Sequence, residues 1–340
     1  MEPSKKSRQR WQAIVGIAVS LVFIYLATRR VDASEMLRAL GEADYLYLLP
    51  ALATVILGLV LRSWRWRYLL APVSRTETGL LFTSLSIGYM ANTFMPAHLG
   101  EFVRTWHCAR RTGIAPGSIF ATIVIERLMD VTSLLLLLGL ALLLFPFPPW
   151  VRHSGAVMLG LVAALAVLLL LLKKFKQKSL AVCDRLLRFV PGASAAKARG
   201  LLEQFLCGVS PLQQRGHYAA VAALSLLIWA SYALTCQLLF LAFGFVARYR
   251  LPWSAALVTL VITTISVVVP SSPGYIGTFH YLCQLALGLF LVPKGPALSY
   301  AFVLHAVSIF PPFLLGLFFL ARGKISLRSL GKEEADAPDR

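Results

Sequence analysis

The chain has 340 residues, 33 Lys+Arg against 15 Asp+Glu for a formal charge of +18, and 58% hydrophobic residues with only 14% charged. A water-soluble domain carries about 25% charge, and a nucleic-acid-binding domain with such a surplus is polar, so the composition excludes both and describes an all-α, polytopic integral membrane protein. Cys108, Cys183, Cys207, Cys236 and Cys283 show neither CxxC nor Cys/His spacing, so no disulfide framework, metal site or other cofactor is expected.

Residues 1–12 form a basic tail with Lys5, Lys6, Arg8 and Arg10. The apolar run from Ala13 to Thr28 ends in Arg29-Arg30 rather than a small-residue cleavage site, so it reads as a retained helix and not a signal peptide. Tyr45 to Leu61 is the next span. Gly79 to Met95 then runs into Pro96-Ala97-His98-Leu99-Gly100-Glu101, followed by a short return segment, Phe102 to Cys108. Proline removes a backbone donor and glycine frees the backbone, so this cluster should break its helix within the membrane.

Ser118 to Phe145 and Gly155 to Leu172 are further spans. Residues 173–217 are the one sizeable insert. They begin with Lys173-Lys174-Phe175-Lys176-Gln177-Lys178, which anionic headgroups would attract as much as it would serve orientation. Leu180, Cys183, Leu186 and Leu187, and later Leu201, Leu202, Phe205 and Leu206, recur at helical spacing, which suggests amphipathic helices on the inner leaflet. Tyr218 to Phe245 spans again. Trp253 to Val269 meets a second break, Pro270-Ser271-Ser272-Pro273-Gly274-Tyr275-Ile276-Gly277, and returns through Phe279 to Val292. Ala297 to Ala321 is the last span, and residues 323–340 read as a disordered cytoplasmic tail with an acidic end.

The expected architecture is therefore about six full spans plus two re-entrant hairpins. With the N-terminus in the cytoplasm, 25 Lys+Arg fall in inner loops and 7 in outer ones, Arg127 standing within a span, so both termini are placed inside. The first hairpin then enters from the cytoplasm and the second from outside, each between full spans. That is an inverted repeat of the transporter kind, whose site lies where the breaks meet. Ten full spans joined by ordinary Pro/Gly turns would give the same charge distribution.

Ionisable groups inside apolar segments cost about 2.5–3.5 kcal/mol each on insertion scales, so they mark structural or functional interiors. Glu126 and Asp130 share a helix face, with Arg127 three residues before Asp130. They form either a structural ion pair or part of a polar cavity with the first hairpin. That hairpin adds Asn92, His98, Gly100, Glu101 and Arg104. Glu101 can cap the return helix, or the free amides around Gly100 can hold an anion with Arg104 as counter-charge. The second hairpin adds Ser271, Ser272, Pro273, Gly274, Gly277, Thr278 and His280. Thr278 is a candidate helix cap, and His280 is either the partner to a phosphate or to an acid from the first hairpin, or a buried histidine satisfied by backbone.

The stretches Asn92-Thr-Phe-Met-Pro96-Ala-His98-Leu-Gly100-Glu101-Phe-Val-Arg104, Ile125-Glu126-Arg127-Leu-Met-Asp130 and Pro273-Gly274-Tyr275-Ile276-Gly277-Thr278, in this order, resemble the lysylphosphatidylglycerol synthase transmembrane-region family of flippase-like domain proteins. The resemblance spans about residues 12 to 322. It implies a multi-pass bacterial inner-membrane protein related to the lipid-translocating half of a bifunctional aminoacyl-phospholipid synthase and flippase, with relatives linked to hopanoids and to glycosylation lipids. The family often carries Arg at His98 and Glu at His280, so titratable groups stand here where fixed charges are usual. With no soluble acyltransferase-like domain before Arg340, aminoacyl transfer is not expected.

The resulting expectation is a lipid translocase that is not an enzyme. Its partner is a membrane lipid: an anionic phospholipid, an aminoacyl-lipid, a hopanoid or a polyprenyl-linked lipid. A non-transporting partner of a lipid-modifying enzyme or glycosyltransferase is the alternative, and an enzyme using Glu101 or Asp130 as acid/base is a third class. No nucleic-acid partner is expected, because the basic residues are scattered beside helix ends.

Overall fold

The computed structural model describes residues 5–95, 99–144, 149–187, 192–209, 215–267 and 272–323, and among them every regular element is helical. The protein is a polytopic all-α membrane protein. Among the described residues, Tyr45–Leu70, Gly216–Ala242 and Lys294–Arg322 are long and apolar enough to cross a bilayer. The acidic-ended tail, His98 and Ser271 lie outside the described residues.

Helix α1 (Lys5–Thr28) starts within the basic tail. A short helix that hydropathy does not reveal, α2 (Ala33–Glu42), follows. Asp32 caps it, its Oδ1 accepting from the Ser34 amide at 2.8 Å and the Glu35 amide at 3.4 Å. A 3-10 turn at Tyr45–Tyr47 leads into α3 (Leu48–Leu70), with Pro50 in its first turn, where a missing N–H is harmless. This span was expected to stop at Leu61. It runs on to Leu70 because the buried face continues through Arg62, Trp66 and Leu69 at helical spacing.

The first Pro/Gly cluster separates α4 (Thr78–Phe94) from α5 (Gly100–Thr112), and the two pack side by side. Gly113, at φ 72°, ends α5 in the left-handed cap that glycine allows. Pro116 opens α6 (Pro116–Leu144), and α7 (Pro149–Lys174) follows.

The basic insert holds α8 (Lys176–Leu186) and α9 (Gly192–Gly208). One face of α9 docks on the start of α6: Ser118 Oγ donates to the Gln204 carbonyl at 2.9 Å, and Gly208 sits against Ser118 and Ala121. Leu206 on α9 and Leu180 on α8 are accordingly buried against protein, whereas Leu201 and Leu186 on the same two helices stay exposed. The Lys173 ammonium bonds the Val209 carbonyl, closing the insert on itself.

The second half runs α10 (Arg215–Ala242), a one-turn α11 (Phe245–Arg248), α12 (Ser254–Thr264), 3-10 turns at Ile265–Val267 and Pro273–Tyr275, α13 (Thr278–Gly288) and α14 (Lys294–Arg322). The main core is shared by α3, α10, α12, α13 and α14, with Tyr300 at its centre donating to the Cys236 carbonyl at 3.0 Å. Close approach of α3 to α10 needs Gly58, where an added Cβ would lie 2.9 Å from the Tyr232 ring. Gly316 on α14 plays the same part against Ser86 and Met90 of α4. A second core joins Trp66, Leu81, Cys108, Ile119 and Val221 beside the charged residues.

Candidate functional site

The charged centre is built from three helices, with a fourth helix supplying hydroxyls. α6 contributes Glu126, Arg127 and Asp130; α3 contributes Arg62 and Arg65; α5 contributes Glu101 and Arg104. Arg62 bridges the two acids, with one guanidinium nitrogen 3.2 Å from Glu126 and 2.8 Å from Asp130, while its Nε donates to Tyr232 on α10 at 2.6 Å. Arg65 reaches Asp130 at 2.6 Å and Ser225 of α10 at 3.1 Å. Arg104 takes the other Glu126 oxygen at 2.7 Å. Its guanidinium stacks over Trp66, whose Nε1 donates to Thr122 at 2.9 Å.

Glu126 is fully buried, and only this density of donors makes an ionised carboxylate tolerable there. Arg127 links Glu101 at 3.4 Å, Glu126 at 3.2 Å and Asp130 at 3.5 Å. Its side chain is 39% exposed against at most 14% for the other members, so Arg127 is where the cluster opens to its surroundings. Four guanidinium groups meet three carboxylates, leaving one positive charge. The Nε atoms of Arg65, Arg104 and Arg127 and one terminal nitrogen of Arg104 are buried without a hydrogen-bond partner.

Several expectations change. Arg62, Arg65 and Arg104 were counted among the 25 inner-loop charges, yet all three are buried in ion pairs. The Gly100 amide is not free for an anion: it donates to Asn92 Oδ1 at 2.8 Å, so Asn92 braces the break between α4 and α5. The closeness of the hairpin explains why, since a Cβ at Gly100 would strike the Gly88 carbonyl. Glu101 stands in the first turn of α5, but its carboxylate is turned to Arg127 and Arg104 rather than capping the helix.

In the second break, Gly277 is the cap residue of α13 and Thr278 is one position inside, its hydroxyl donating to the Tyr275 carbonyl at 3.0 Å. Positive φ at Gly274 (73°) and Gly277 (91°) accounts for both glycines. His280 makes no ion pair with an acid of the first hairpin. Glu101 is occupied by arginines, and the His280 ring instead packs on Phe302 at 4.5 Å and His305 at 4.8 Å.

The two breaks nonetheless adjoin. The Pro273–Tyr275 turn packs on α4, with Gly274 facing the Thr93 carbonyl, and Tyr275 is within electrostatic reach of Arg127 and Glu101. Sequence reading missed Arg62, Arg65, Trp66 and Tyr232. The signal for the first three is helical period: Val55, Leu59, Arg62, Trp66 and Leu69 follow one another at spacings of three and four, and Gly58, Leu61 and Arg65 run beside them, both rows passing beyond Leu61.

A helical membrane protein with a buried arginine–carboxylate centre beside two helix breaks is thus defined by the chain itself. It belongs to the Lysylphosphatidylglycerol synthase TM region family, which it matches over residues 13–316. It is 23% identical to Glycosyltransferase AglD of Haloferax volcanii over 98% of this chain and 58% of that protein, so the chain spans a little over half the length of that relative. It is 20% identical to a UPF0104 membrane protein of Methanocaldococcus jannaschii, over 88% of this chain and 91% of that protein. A UPF0104 membrane protein of Methanothermobacter thermautotrophicus is 23% identical over 89% of this chain and 91% of the relative.

Proposed function

We propose that this protein moves a lipid with an anionic headgroup across a bacterial inner membrane, the headgroup engaging Arg127 while the tails stay in lipid. The observation that carries this reading is the charge balance: four arginines against three acids, with unpartnered guanidinium N–H groups and one member open to its surroundings. A net charge away from water is costly unless paired, and a phosphate oxygen supplies both the charge and the acceptors. In this reading α4/α5 and α12/α13 are re-entrant hairpins of an inverted repeat, both termini and residues 173–217 are cytoplasmic, and one repeat rocks against the other. The contact between the Pro273–Tyr275 turn and α4 supports it, because it sets the second break against the first. The protein makes and breaks no covalent bond; an ion gradient or the lipid gradient itself sets direction.

The test is lipid movement in proteoliposomes containing a fluorescent phosphatidylglycerol. Protein should accelerate exchange between leaflets, and Arg127→Ala or Glu101→Gln should return it towards the protein-free rate in protein that circular dichroism shows to be folded at the assay temperature. Exchange equal to empty vesicles sinks the translocase reading, and full activity in Arg127→Ala sinks the site.

A second reading has one observation behind it. Nearly the whole chain aligns with part of a protein named a glycosyltransferase, which suits a membrane partner for such an enzyme. Co-purification with a glycosyltransferase, together with no lipid movement by the isolated protein, would favour it.

A further inference from the structure

The loop of the second break is held from three sides. The Ser272 amide donates to Ser20 Oγ of α1 at 2.8 Å. His305 of α14 donates from Nε2 to the Gly274 carbonyl at 2.7 Å, and the Gly277 amide donates to His280 Nδ1 of α13 at 3.3 Å. The backbone in between is forced: Gly274 and Gly277 have positive φ, and so does Tyr275 at 58°, a conformation costly to a residue with a Cβ. A loop strained in this way stays put only while its anchors hold.

Two of those anchors are imidazoles, and their protonation states follow from their partners. A backbone N–H can only donate, so Nδ1 of His280 carries a lone pair and the ring proton sits on Nε2. That Nε2 is buried and has no hydrogen-bond partner. His280 is therefore neutral in this state, which also suits its place in the first turn of α13, where the helix dipole opposes a cation.

We propose that His280, with His305 beside it, is a proton-binding site whose occupancy releases the Ser272–Gly277 loop. A proton from the aqueous phase adds to the Nδ1 lone pair, no covalent bond breaks, and Nδ1 turns from acceptor to donor. Two N–H groups then face each other and the anchor at Gly277 is lost. The closed loop and the protonated ring exclude one another, so opening takes up a proton and acid favours the open state.

The neighbours of His280 are few. His305 is the titratable group that α14 sets against it, with rings 4.8 Å apart. α12 carries none in its sequence SAALVTLVITT, and α1 meets this region through Ser20, Ile24 and Phe23. Tyr281, packed on Phe23, and the buried Cys283 are the titratable groups near it on α13 itself. No described carboxylate pairs with His280 to hold its charge in the closed state. Release of the loop would move Tyr275 relative to Arg127 and Glu101. This extends the translocase reading by giving its central site a proton-dependent gate, but the proton site stands on the loop's own geometry.

The experiment is amide hydrogen exchange of the segment 272–281 in the full chain in nanodiscs between pH 5 and 8, corrected for intrinsic exchange rates. Protection should fall toward acid by up to tenfold per pH unit, the limit for uptake of one proton. In His280→Asn, whose side-chain oxygen can accept from Gly277 but does not titrate, the residual slope should vanish. A flat profile in the unsubstituted protein, or the same slope in His280→Asn, overturns the proposal. If the Asn variant does not fold, His280→Gln serves for the comparison. Lipid movement is not part of this readout, so a flat profile removes the proton site and leaves the translocase reading standing, while failure of transport leaves the exchange profile unaffected.

Discussion

The guanidinium of Arg104 lies 3.6 Å from the centre of the Trp66 ring. The arginine thereby gains an electrostatically favourable face in a place where water cannot reach it, at about 2 kcal/mol for a desolvated pair. The same ring donates to Thr122, which fixes its plane. Trp66→Phe should keep the stacking and lose about 1 kcal/mol for the hydrogen bond. Trp66→Leu should lose about 2 kcal/mol more. Thermal unfolding in detergent ranks the two, and equal stability would show that the stacking contributes nothing.

Glu126 accepts from Arg104, Arg62 and Arg127 with no exposure. Removing it by Glu126→Ala takes a partner from three cations and leaves Arg104 with only the 3.9 Å contact to Glu101, while Arg62 and Arg127 keep Asp130; a loss of about 3–5 kcal/mol is expected in thermal unfolding. Glu126→Ala combined with Arg104→Leu should recover part of that loss, because the cation left with the weakest pairing goes with its partner. A double-mutant cycle showing simple additivity would contradict the pairing.

Gly100 and Gly88 set how closely α4 and α5 approach. A Cβ on Gly100 meets the Gly88 carbonyl and the Asn92 side chain, and one on Gly88 lies 2.8 Å from Arg104 Cβ. Gly100→Ala should therefore open the hairpin and lower the unfolding temperature. Gly79→Ala, in the first turn of α4 with nothing within 4 Å of the added Cβ, should leave stability unchanged or raise it by up to roughly 0.5–1 kcal/mol through helix propensity alone. Similar effects at the two positions would refute the close-approach argument.

Asp32 is held below the usual aspartate value of 3.8, chiefly by the Ser34 hydroxyl and then by the Ser34 and Glu35 amides. A lowered folded-state value means that the cap's contribution is complete above 3.8 and is lost as pH falls through the lower folded value. Hydrogen exchange of residues 33–42 should accelerate in that acidic window after correction for intrinsic rates. Asp32→Asn, which still caps but does not titrate, should remove that acceleration, and Asp32→Ala should show fast exchange at every pH.

Much of the fold is legible in hydropathy, because a bilayer solvent rewards long apolar helices and penalises little else. The helices expected around residues 45, 118, 218 and 297 are all present, and the two breaks fall at the two Pro/Gly clusters. What hydropathy cannot convey is whether an arginine is solvated or paired. Arg62 and Arg65 have the same composition as loop charges, and only the continued helical period separates them. Asn92 and Gly100 were both singled out as site residues, yet they act on each other. Contacts of that kind depend on which carbonyl and which amide come face to face across a turn, and spacing along the chain does not contain it. Helix α2 escaped notice because its length, 10 residues, is too short to register as a span.

Arg62 is synthesised 64 residues before the Glu126 that neutralises it. At about 5–20 residues per second, the charged end of α3 waits on the order of 3–13 s for its counter-ions. Until α6 emerges, that end lacks the acids it pairs with, and an uncompensated arginine costs about 2.5–3.5 kcal/mol at a helix centre and less towards a helix end. The ion cluster is thus also an assembly order: α3 settles at its final position only when α6 arrives, and a chain truncated before residue 126 should be left with a third helix that inserts poorly and is open to quality-control proteases.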